Sequence, residues 1–284
     1  MAENGGIEAG LHLVAVPIGA ARDITLRALD LIAGADVLAA EDTRALRRLM
    51  EIHGVSLGDR PLLAYHDHNG AAVRPRLLAA LREGRSVAYM SEAGTPLIAD
   101  PGFQLGVEAR AEGIAVRAAP GASAVLAALC VAGLPTDRFL FCGFLPVKSA
   151  ARRAALREVS EVPATLVLYE SPKRTAATLR DATEVMGDRE AALCRELTKR
   201  FEEVRRGTLA ALAEGCEADP PRGEVVLVID RAAPREADEE TLRAALETAL
   251  AAGSLKSAVK DVSETFSVSR NLVYDLALKM KDGG

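Results

Sequence analysis

The sequence predicts an α/β protein: two successive α/β domains followed by a small helical appendage. Three observations carry this expectation. From Leu11 onward, short apolar runs alternate with segments of helical period, the pattern of a largely parallel sheet covered by helices. Beyond Phe139, the candidates Ala191–Arg195, Glu202–Arg206 and Val225–Ile229 follow in close succession, which points to a mixed or antiparallel second sheet. After Arg231 the polar run APREADEE interrupts the pattern, and what remains has the length of a three-helix unit.

In chain order, Leu11–Val16 reads as a buried strand, and Asp23 as the cap of a helix through Leu31. Strand Val37–Ala40, helix Arg44–Ile52, strand Leu62–Tyr65, helix Val73–Arg82 and strand Val87–Met90 continue the rhythm. Helix Phe103–Glu112, strand Ala115–Ala118 and a helix at Ala122–Cys130 complete the first half. Gly, Pro and Asp in AGLPTDR mark a boundary. The second half restarts with strand Phe139–Phe144, helix Ser149–Val159, strand Leu166–Tyr169 and helix Arg174–Val185, with Leu209–Ala213 as a short helix. The expected division is 1–10 as a flexible N-terminus, 11–134 and 135–231 as α/β domains, 232–240 as a linker and 241–284 as the helical unit. In that unit Leu242, Ala245, Leu246, Leu250, Ala258, Val259, Val262, Leu272, Val273, Leu276 and Leu278 are the apolar positions.

The 284 residues are 49% hydrophobic and 26% charged, values of an ordinary globular protein that exclude disordered, collagenous and disulfide-scaffold classes. Lys and Arg total 35 against 40 acidic residues, a formal charge of −5, so a nucleic-acid partner has to meet a local basic patch. The scattered Cys130, Cys142, Cys194 and Cys216 lack metal-ligand spacing and read as buried thiols in a reducing compartment. No basic-then-apolar leader opens the chain and no run reaches 18 apolar residues, so the expectation is a cytoplasmic protein without a membrane span.

In an open α/β sheet, ligands collect where loops leave the carboxyl ends of strands. Four such loops here are rich in Gly, Pro and small polar residues: Pro17-Ile18-Gly19-Ala20, then Ser91-Glu92-Ala93-Gly94-Thr95-Pro96 running on to Asp100-Pro101-Gly102, then Pro120-Gly121-Ala122-Ser123, and Tyr169-Glu170-Ser171-Pro172. Each taken singly is an ordinary turn; together they point to one pocket. There is no GxxxxGK[ST] and no GxGxxG, which removes a P-loop hydrolase and a dinucleotide Rossmann site. His66 and His68 at i,i+2 would point oppositely on a strand, so hydrogen bonding in a loop is the expected role and no metal is expected. Basic clusters fall at Arg44, Arg47 and Arg48, at Lys148, Arg152, Arg153 and Arg157, and at Lys199, Arg200, Arg205 and Arg206; each is either a solvated helix face or a phosphate contact. Phe103, Phe139, Phe141 and Phe144 stand in apolar contexts and are expected in the core, with Tyr169 the one aromatic expected at the pocket.

The ordered words VAVPIGAARDITLRAL, AAEDTR, YHDHN, SEAGTPLIADPG, PGASA, GLPTDRFLFCGFLP, YESPKR, RELTK, RGTL and GEVVLVI closely resemble the bacterial 16S rRNA 2′-O-methyltransferase family RsmI, a branch of the tetrapyrrole-methylase superfamily. The likeness runs from about Leu11 to Ile229, and the C-terminal segment resembles the family's small helix-turn-helix-type domain. It implies two α/β domains of the tetrapyrrole-methylase type, an S-adenosylmethionine donor held between them, a homodimer, and as substrate a decoding-site cytidine ribose of 16S rRNA, within the small ribosomal subunit. A related methylase acting on a tetrapyrrole or other small molecule, and a non-catalytic RNA-binding assembly factor, are the alternatives.

By matched position, the resemblance assigns Pro17, Ile18, Gly19, Ser91, Glu92, Ala93, Gly94, Thr95, Pro120, Gly121, Ser123, Tyr169, Leu197 and Thr198 to the cofactor. This chain departs from the family pattern at Ala20 (usually Asn), Glu92 (Asp), Ala122 (Pro) and Lys173 (His), and no acid follows Asn69. Methyl transfer from a sulfonium to a hydroxyl is an in-line displacement in which positioning does much of the work, aided by a base or a cation. Glu170, Lys173, Lys199 and Asp42 are the candidates, with Ser171 expected to cap the helix after Pro172. Arg44, Arg47, Arg48, Arg152, Arg153 and Arg270 are the candidate RNA contacts, Arg270 because Ser267-Val268-Ser269-Arg270-Asn271 precedes a helix resembling a recognition helix.

Overall fold

A computed structural model describes residues 6–232, 239–266 and 268–282. Most of the expected linker and the first five residues of the expected flexible N-terminus lie outside the described residues, as does Ser267. The chain divides into two compact units, Met1–Glu158 with Thr165–Asp230, and Val159–Ala164 with Arg231–Gly284.

The larger unit holds two five-stranded sheets. In the first, β1 (Gly10–Val14), β2 (Val37–Ala40), β3 (Leu62–Ala64), β4 (Ser86–Met90) and β5 (Val116–Ala119) lie in the order β3-β2-β4-β1-β5, and every pairing is parallel. A parallel sheet is covered on both faces, which is why β2 and β4 are buried at every position. One core gathers Val14, Ile32, Leu38 and Met90, and the other Leu11, Leu77, Tyr89 and Leu105. The crossovers run through α1 (Leu26–Gly34), α2 (Thr43–Ile52), α3 (Gly70–Arg82), α4 (Phe103–Ala111) and, into the second sheet, α5 (Ala124–Ala132). Chain order reverses between β1 and β4: β1 leads toward β2 on one side, β4 toward β5 on the other. That is the switch point where such sheets open a crevice.

The second sheet is mixed, as its closely spaced strands foretold. β6 (Phe139–Phe144), β7 (Thr165–Glu170), β8 (Glu190–Arg195), β9 (Glu203–Thr208) and β10 (Val225–Ile229) take the order β6-β7-β10-β8-β9. Only β6 with β7 is parallel. The helices α6 (Ser149–Val159), α7 (Thr175–Met186) and α8 (Leu209–Ala218) join these strands. Arg206 donates to the carbonyls of Ala132, at 3.0 Å, and Val131, tying β9 to the end of α5.

Several expectations need correction. Thr25, not Asp23, caps α1: its Oγ1 accepts from Ala28 N at 3.1 Å, because residues 21–23 form a separate 3-10 turn. Strand β1 stops at Val14, since Val16 turns away to bridge Gly94. Residue Ile7 packs against the first core, and Arg117 pairs with Glu8 at 2.7 Å, so the described part of the N-terminus is held. Of the four phenylalanines expected inside, Phe103, Phe139 and Phe144 are exposed at 60%, 43% and 59%; Phe141 is half-buried, edge-on to Tyr169 at 4.9 Å. Cys194 and Cys216 are buried, whereas Cys142 is half-buried and Cys130 lies exposed on α5.

The smaller unit carries α9 (Glu239–Ala252), α10 (Leu255–Thr265) and α11 (Arg270–Asp282) around Leu242, Leu246, Val259, Val262, Val273 and Leu276. Leu272 and Leu278, expected in this core, are exposed. Ser254 caps α10 by accepting from Ser257 N at 3.2 Å, and Ser269 accepts from Leu272 N at 3.2 Å in the turn before α11. Among the described residues no helix is long and apolar enough to cross a membrane.

Arg152 stands out in this ledger of contacts. It is 4% exposed, and its guanidinium meets the Asp181 carboxylate at 2.6 Å while that carboxylate also accepts from Ser149 Oγ at 2.9 Å. The expected role of Arg152 in RNA contact is therefore replaced by one of joining α6 to α7. Arg152→Ala leaves a buried carboxylate unpaired and is expected to destabilise the protein by about 3–5 kcal/mol in urea unfolding; Arg153→Ala, whose partner Glu184 is exposed, by less than about 1 kcal/mol.

Candidate active site

The loop after β1 and the loop after β4 leave neighbouring strands at the switch point and are locked together there. Val16 N donates to Gly94 O at 2.9 Å, and Gly94 N to Val16 O at 3.1 Å. Ser91 Oγ reaches the carbonyls of Ala93 and Gly94 at 3.2 and 3.4 Å, curling the second loop over itself. Thr95 Oγ1 donates to Ala122 O at 3.0 Å, bringing in the loop after β5. Gly121 passes so close to Ala15 that a Cβ there would lie 2.9 Å from the alanine Cβ. Ser123 closes this third loop as N-cap of α5, accepting from Leu126 N at 3.5 Å.

The second sheet completes the enclosure. Ala20 N donates to Thr198 Oγ1 at 3.0 Å, and a Cβ on Gly19 would fall 2.5 Å from Lys199 Cγ and 3.0 Å from Leu197 O. Only glycine permits that approach. Thr198 and Glu196 both adopt positive φ (65° and 50°), as do Leu97 (73°) and Ala99 (62°) in the loop after β4. Such backbone costs of order 1 kcal/mol per residue and persists where surroundings over-determine it. Both strained pairs flank the crevice.

The result is a cleft of about 390 Å³ lined by Ile18, Ala93, Gly94, Thr95, Ile98, Ala99, Asp100, Ser123, Ala124, Phe144, Tyr169, Glu170, Ser171, Pro172 and residues 223–226. Its walls are mostly apolar, with a few polar groups converging, as in small-molecule sites. Tyr169 packs edge-on against Phe144 at 5.6 Å, and burial pushes its hydroxyl up to about 12. The cofactor candidates do not all face this space. Ile18, Ala93, Gly94, Thr95, Ser123 and Tyr169 do; Pro17, Gly19, Ser91 and Glu92 line a second hollow of about 250 Å³ beside α2, together with Arg48 and Ile52. Pro120, Gly121, Leu197 and Thr198 line neither; Gly121 lies against Ala15, and Leu197 and Thr198 lie against Gly19.

The four candidate acid–base groups are differently placed. Glu170 is 3% exposed, and its carboxylate accepts from Ser171 N at 2.7 Å and Thr178 Oγ1 at 2.6 Å and pairs with Arg174 at 3.2 Å. Both oxygens are engaged in anchoring the start of α7. It is Ser171's carbonyl, not its hydroxyl, that accepts from Arg174 N at 3.0 Å. Asp42 is the N-cap of α2, accepting from Arg44 N at 2.7 Å and Ala45 N at 3.3 Å; the Arg44 hydrogen bonds hold its carboxyl below the usual range. Burial lowers the Lys199 ammonium, but hydrogen bonds to Glu224 (2.8 Å) and Glu196 (3.0 Å) outweigh it, so the net shift is upward and the group stays a cation. Lys173 is exposed at the rim of α7. Of the basic clusters, Arg44, Arg47 and Arg48 remain exposed on α2, whereas Arg205 is drawn into Glu203 at 3.0 Å and Arg206 into α5. Arg270 pairs with Glu264 at 2.9 Å on its own helical unit. His66 and His68 lie in the turn after β3, with ring centres 6.0 Å apart, and among the described residues no three His, Cys, Asp or Glu side chains cluster as a metal site would require.

Asp100, which the sequence places in a ligand-bearing loop without assigning it a role, is a further functional candidate. Burial, and then the charges of Glu41 and Glu92, push its carboxyl up to about 7, against a hydrogen bond from Ser91 that lowers it. The signal was the DPG at the end of SEAGTPLIADPG, where an acid sits between apolar residues in a Gly/Pro loop.

Residues 10–213 match the family model described as Tetrapyrrole (Corrin/Porphyrin) Methylases, and residues 236–281 match the one described as the RsmI C-terminal HTH domain. Solved structures of this fold include a cobalt precorrin-4 methyltransferase (TM-score 0.59, 19% identity, 78% of this chain and 94% of that one). Another is the uroporphyrin-III C-methyl transferase from Thermus thermophilus, complexed with S-adenyl homocysteine (TM-score 0.55, 20% identity, 78% and 98%). The chain is thus a member of the tetrapyrrole methylase family. Within it, the chain is 45% identical over 278 residues to the Ribosomal RNA small subunit methyltransferase I of Mesorhizobium japonicum, covering 97% of this chain and 94% of that protein. It is 45% identical over 276 residues to the protein of the same name from Pseudomonas aeruginosa (95% and 96%), and belongs to the family these proteins form.

The raised Asp100 carboxyl has a consequence for stability. Folded, the group holds its proton up to about pH 7; unfolded, it loses it near 3.8. The native state binds more protons in that window, so stability falls as pH rises from about 4 to 7 and the full penalty stands above 7. Asp100→Asn is expected to raise Tm relative to wild type at pH 8, by the equivalent of about 1 kcal/mol or more, with the difference shrinking toward pH 4.

Proposed function

We propose that this protein is an S-adenosylmethionine-dependent methyltransferase that modifies the ribose 2′-hydroxyl of a decoding-site cytidine in 16S rRNA, acting as a cytoplasmic homodimer on the small ribosomal subunit. Coverage of nearly the whole chain by rRNA small subunit methyltransferase I relatives, the C-terminal unit included, carries this proposal. Exposed Phe139, Phe144 and Val147, on and just beyond edge strand β6, supply apolar surface for a second copy.

The cleft has the character that a nucleoside bearing a sulfonium requires. The small residues 93–95 and Ser123 line a space walled by Ile18, Ile98 and Val226. Gly94, at φ 75°, admits no side chain without meeting Ile18 Cγ2 at 3.2 Å, so the cradle stays open. S-Adenosylmethionine, when bound, supplies an electrophilic methyl group: the new O–C bond forms as the C–S bond breaks, with its electron pair leaving on sulfur as a thioether.

What the chain itself contributes is alignment. The loop at residues 16–20 is held at Val16 by Gly94 and at Ala20 by Thr198, which fixes both of its ends. The Glu170 carboxylate fixes Ser171 and Pro172 at the far wall. Holding reactants in one geometry supplies several kcal/mol of the barrier reduction in reactions of this type. The arginines of α2 stand exposed beside the second hollow, ready to meet phosphates, so affinity for small subunits should fall with added salt.

Two measurements test this. Calorimetry with S-adenosylmethionine should give saturable binding to wild type and at least tenfold weaker binding to Gly94→Val. Transfer of labelled methyl to unmodified small subunits, followed by nuclease digestion, should place the label on a cytidine ribose; label on a base or on no RNA would refute the assignment.

A further inference from the structure

A third hollow, of about 380 Å³, lies beside the cleft and is lined by Tyr65, His66, Asp67, Arg74, Asp100, Phe103 and Gln104, among others. Its volume suits a nucleoside, within the roughly 300–1,000 Å³ of small-molecule sites. Its walls are firm. Asn69 Oδ1 accepts from His66 N at 2.9 Å and its amide donates to Ala64 O at 3.0 Å, fixing the turn after β3. Tyr65 packs edge-on to Tyr89 at 5.5 Å, and Tyr89 Oη donates to Pro101 O at 3.0 Å, fixing the opposite wall.

Three features go unused by the architecture. Phe103, the first residue of α4, is 60% exposed although its neighbours Leu105 and Gly106 are buried. His66 Nδ1 is buried and has no hydrogen-bond partner among the described residues, an atom whose desolvation is uncompensated until a ligand arrives. Asp100 lines both this hollow and the cleft, the one residue common to the two. Single-stranded RNA is held by splayed bases stacked on aromatic side chains and hydrogen-bonded at their edges, and these groups provide for both.

We propose that this hollow receives the acceptor nucleoside, Phe103 stacking on its base and His66 hydrogen-bonding to it, and that Asp100 takes the proton from its hydroxyl as the methyl group is transferred. The assignment rests on the ribose-methylation function proposed above. The hydroxyl's O–H bond breaks toward an Asp100 carboxylate oxygen while its O–C bond forms, so the carboxylate ends as a carboxylic acid and the ribose as a neutral ether. Asp100 is suited to that exchange near neutrality, since a base works best with an affinity for protons close to the operating pH. The groups around it are Glu41 and Glu92, which raise it, Ser91, which donates to it, and Tyr89 and Tyr169; His66, Asp67 and Arg74 line the hollow with it, and Arg74 is paired with Glu108 at 2.8 Å.

The test uses the full-length protein, S-adenosylmethionine and small ribosomal subunits lacking the modification. Phe103→Ala, an exposed site, should raise KM for subunits about tenfold, the scale of losing one base–aromatic stack, with donor affinity unchanged by calorimetry. Asp100→Asn should lower kcat at least about 100-fold, within the range of losing a general base, leave KM and donor affinity near wild type, and abolish the rise of rate between pH 6 and 8 that wild type shows. A photo-crosslinker placed by Phe103→p-benzoylphenylalanine should join the rRNA at the nucleotide that becomes methylated. Unchanged KM for Phe103→Ala with crosslinks elsewhere, or a tenfold loss for Ile52→Ala in the hollow beside α2 instead, overturns the assignment. If wild type places the methyl on a base, the ribose function fails while the crosslink still reports whether this hollow holds the acceptor.

Discussion

Everything at the crevice depends on two backbone hydrogen bonds between Val16 and Gly94. They join the loops that leave β1 and β4, the pair of neighbouring strands whose connections depart in opposite directions. A switch point of this kind opens a crevice in any doubly wound sheet; here the bridge sets how wide it opens and which residues face which side. Residues on one flank of the bridged loops line the cleft, and those on the other line the hollow beside α2. The strained Leu97 and Ala99 are tolerated because the bridge below and the Tyr89 hydroxyl above hold their loop at both ends.

Charge is handled in two ways in this molecule. At Arg152–Asp181, Glu170–Arg174 and Arg195–Glu203 the ions are paired and serve to join elements. At Asp100 the nearest charges are of the same sign, and the carboxyl is pushed up rather than neutralised by a partner. Groups displaced in that manner cluster at sites of chemistry. The contrast explains why Glu170, attractive by its position after a strand, acts as a clamp, while a less conspicuous acid in a Gly/Pro loop has the environment of a proton acceptor.

The phenylalanines show where pattern reading fails. Phe103, Phe139 and Phe144 stand among apolar neighbours, yet all three are exposed, because each sits at an element's end or on an edge strand where no second layer covers it. Periodicity reports what a segment can bury, not whether something lies opposite. The same holds for Arg152, which belongs to a basic run yet turns inward because Asp181, distant in sequence, arrives beside it.

What the sequence determined by itself is considerable. Strand and helix order, the parallel first sheet and the mixed second one follow from local period and spacing, since those depend on residues within a few positions of each other. The ligand-bearing loops, too, are legible, as Gly and Pro record backbone that must turn tightly. Only the tertiary structure decided which loop residues face the cleft and which brace it, that Thr198 and Lys199 close over Gly19, and that Asp100 stands between two hollows. Those facts are set by contacts between segments up to 178 positions apart, and by the field of neighbouring carboxylates, which no local pattern encodes.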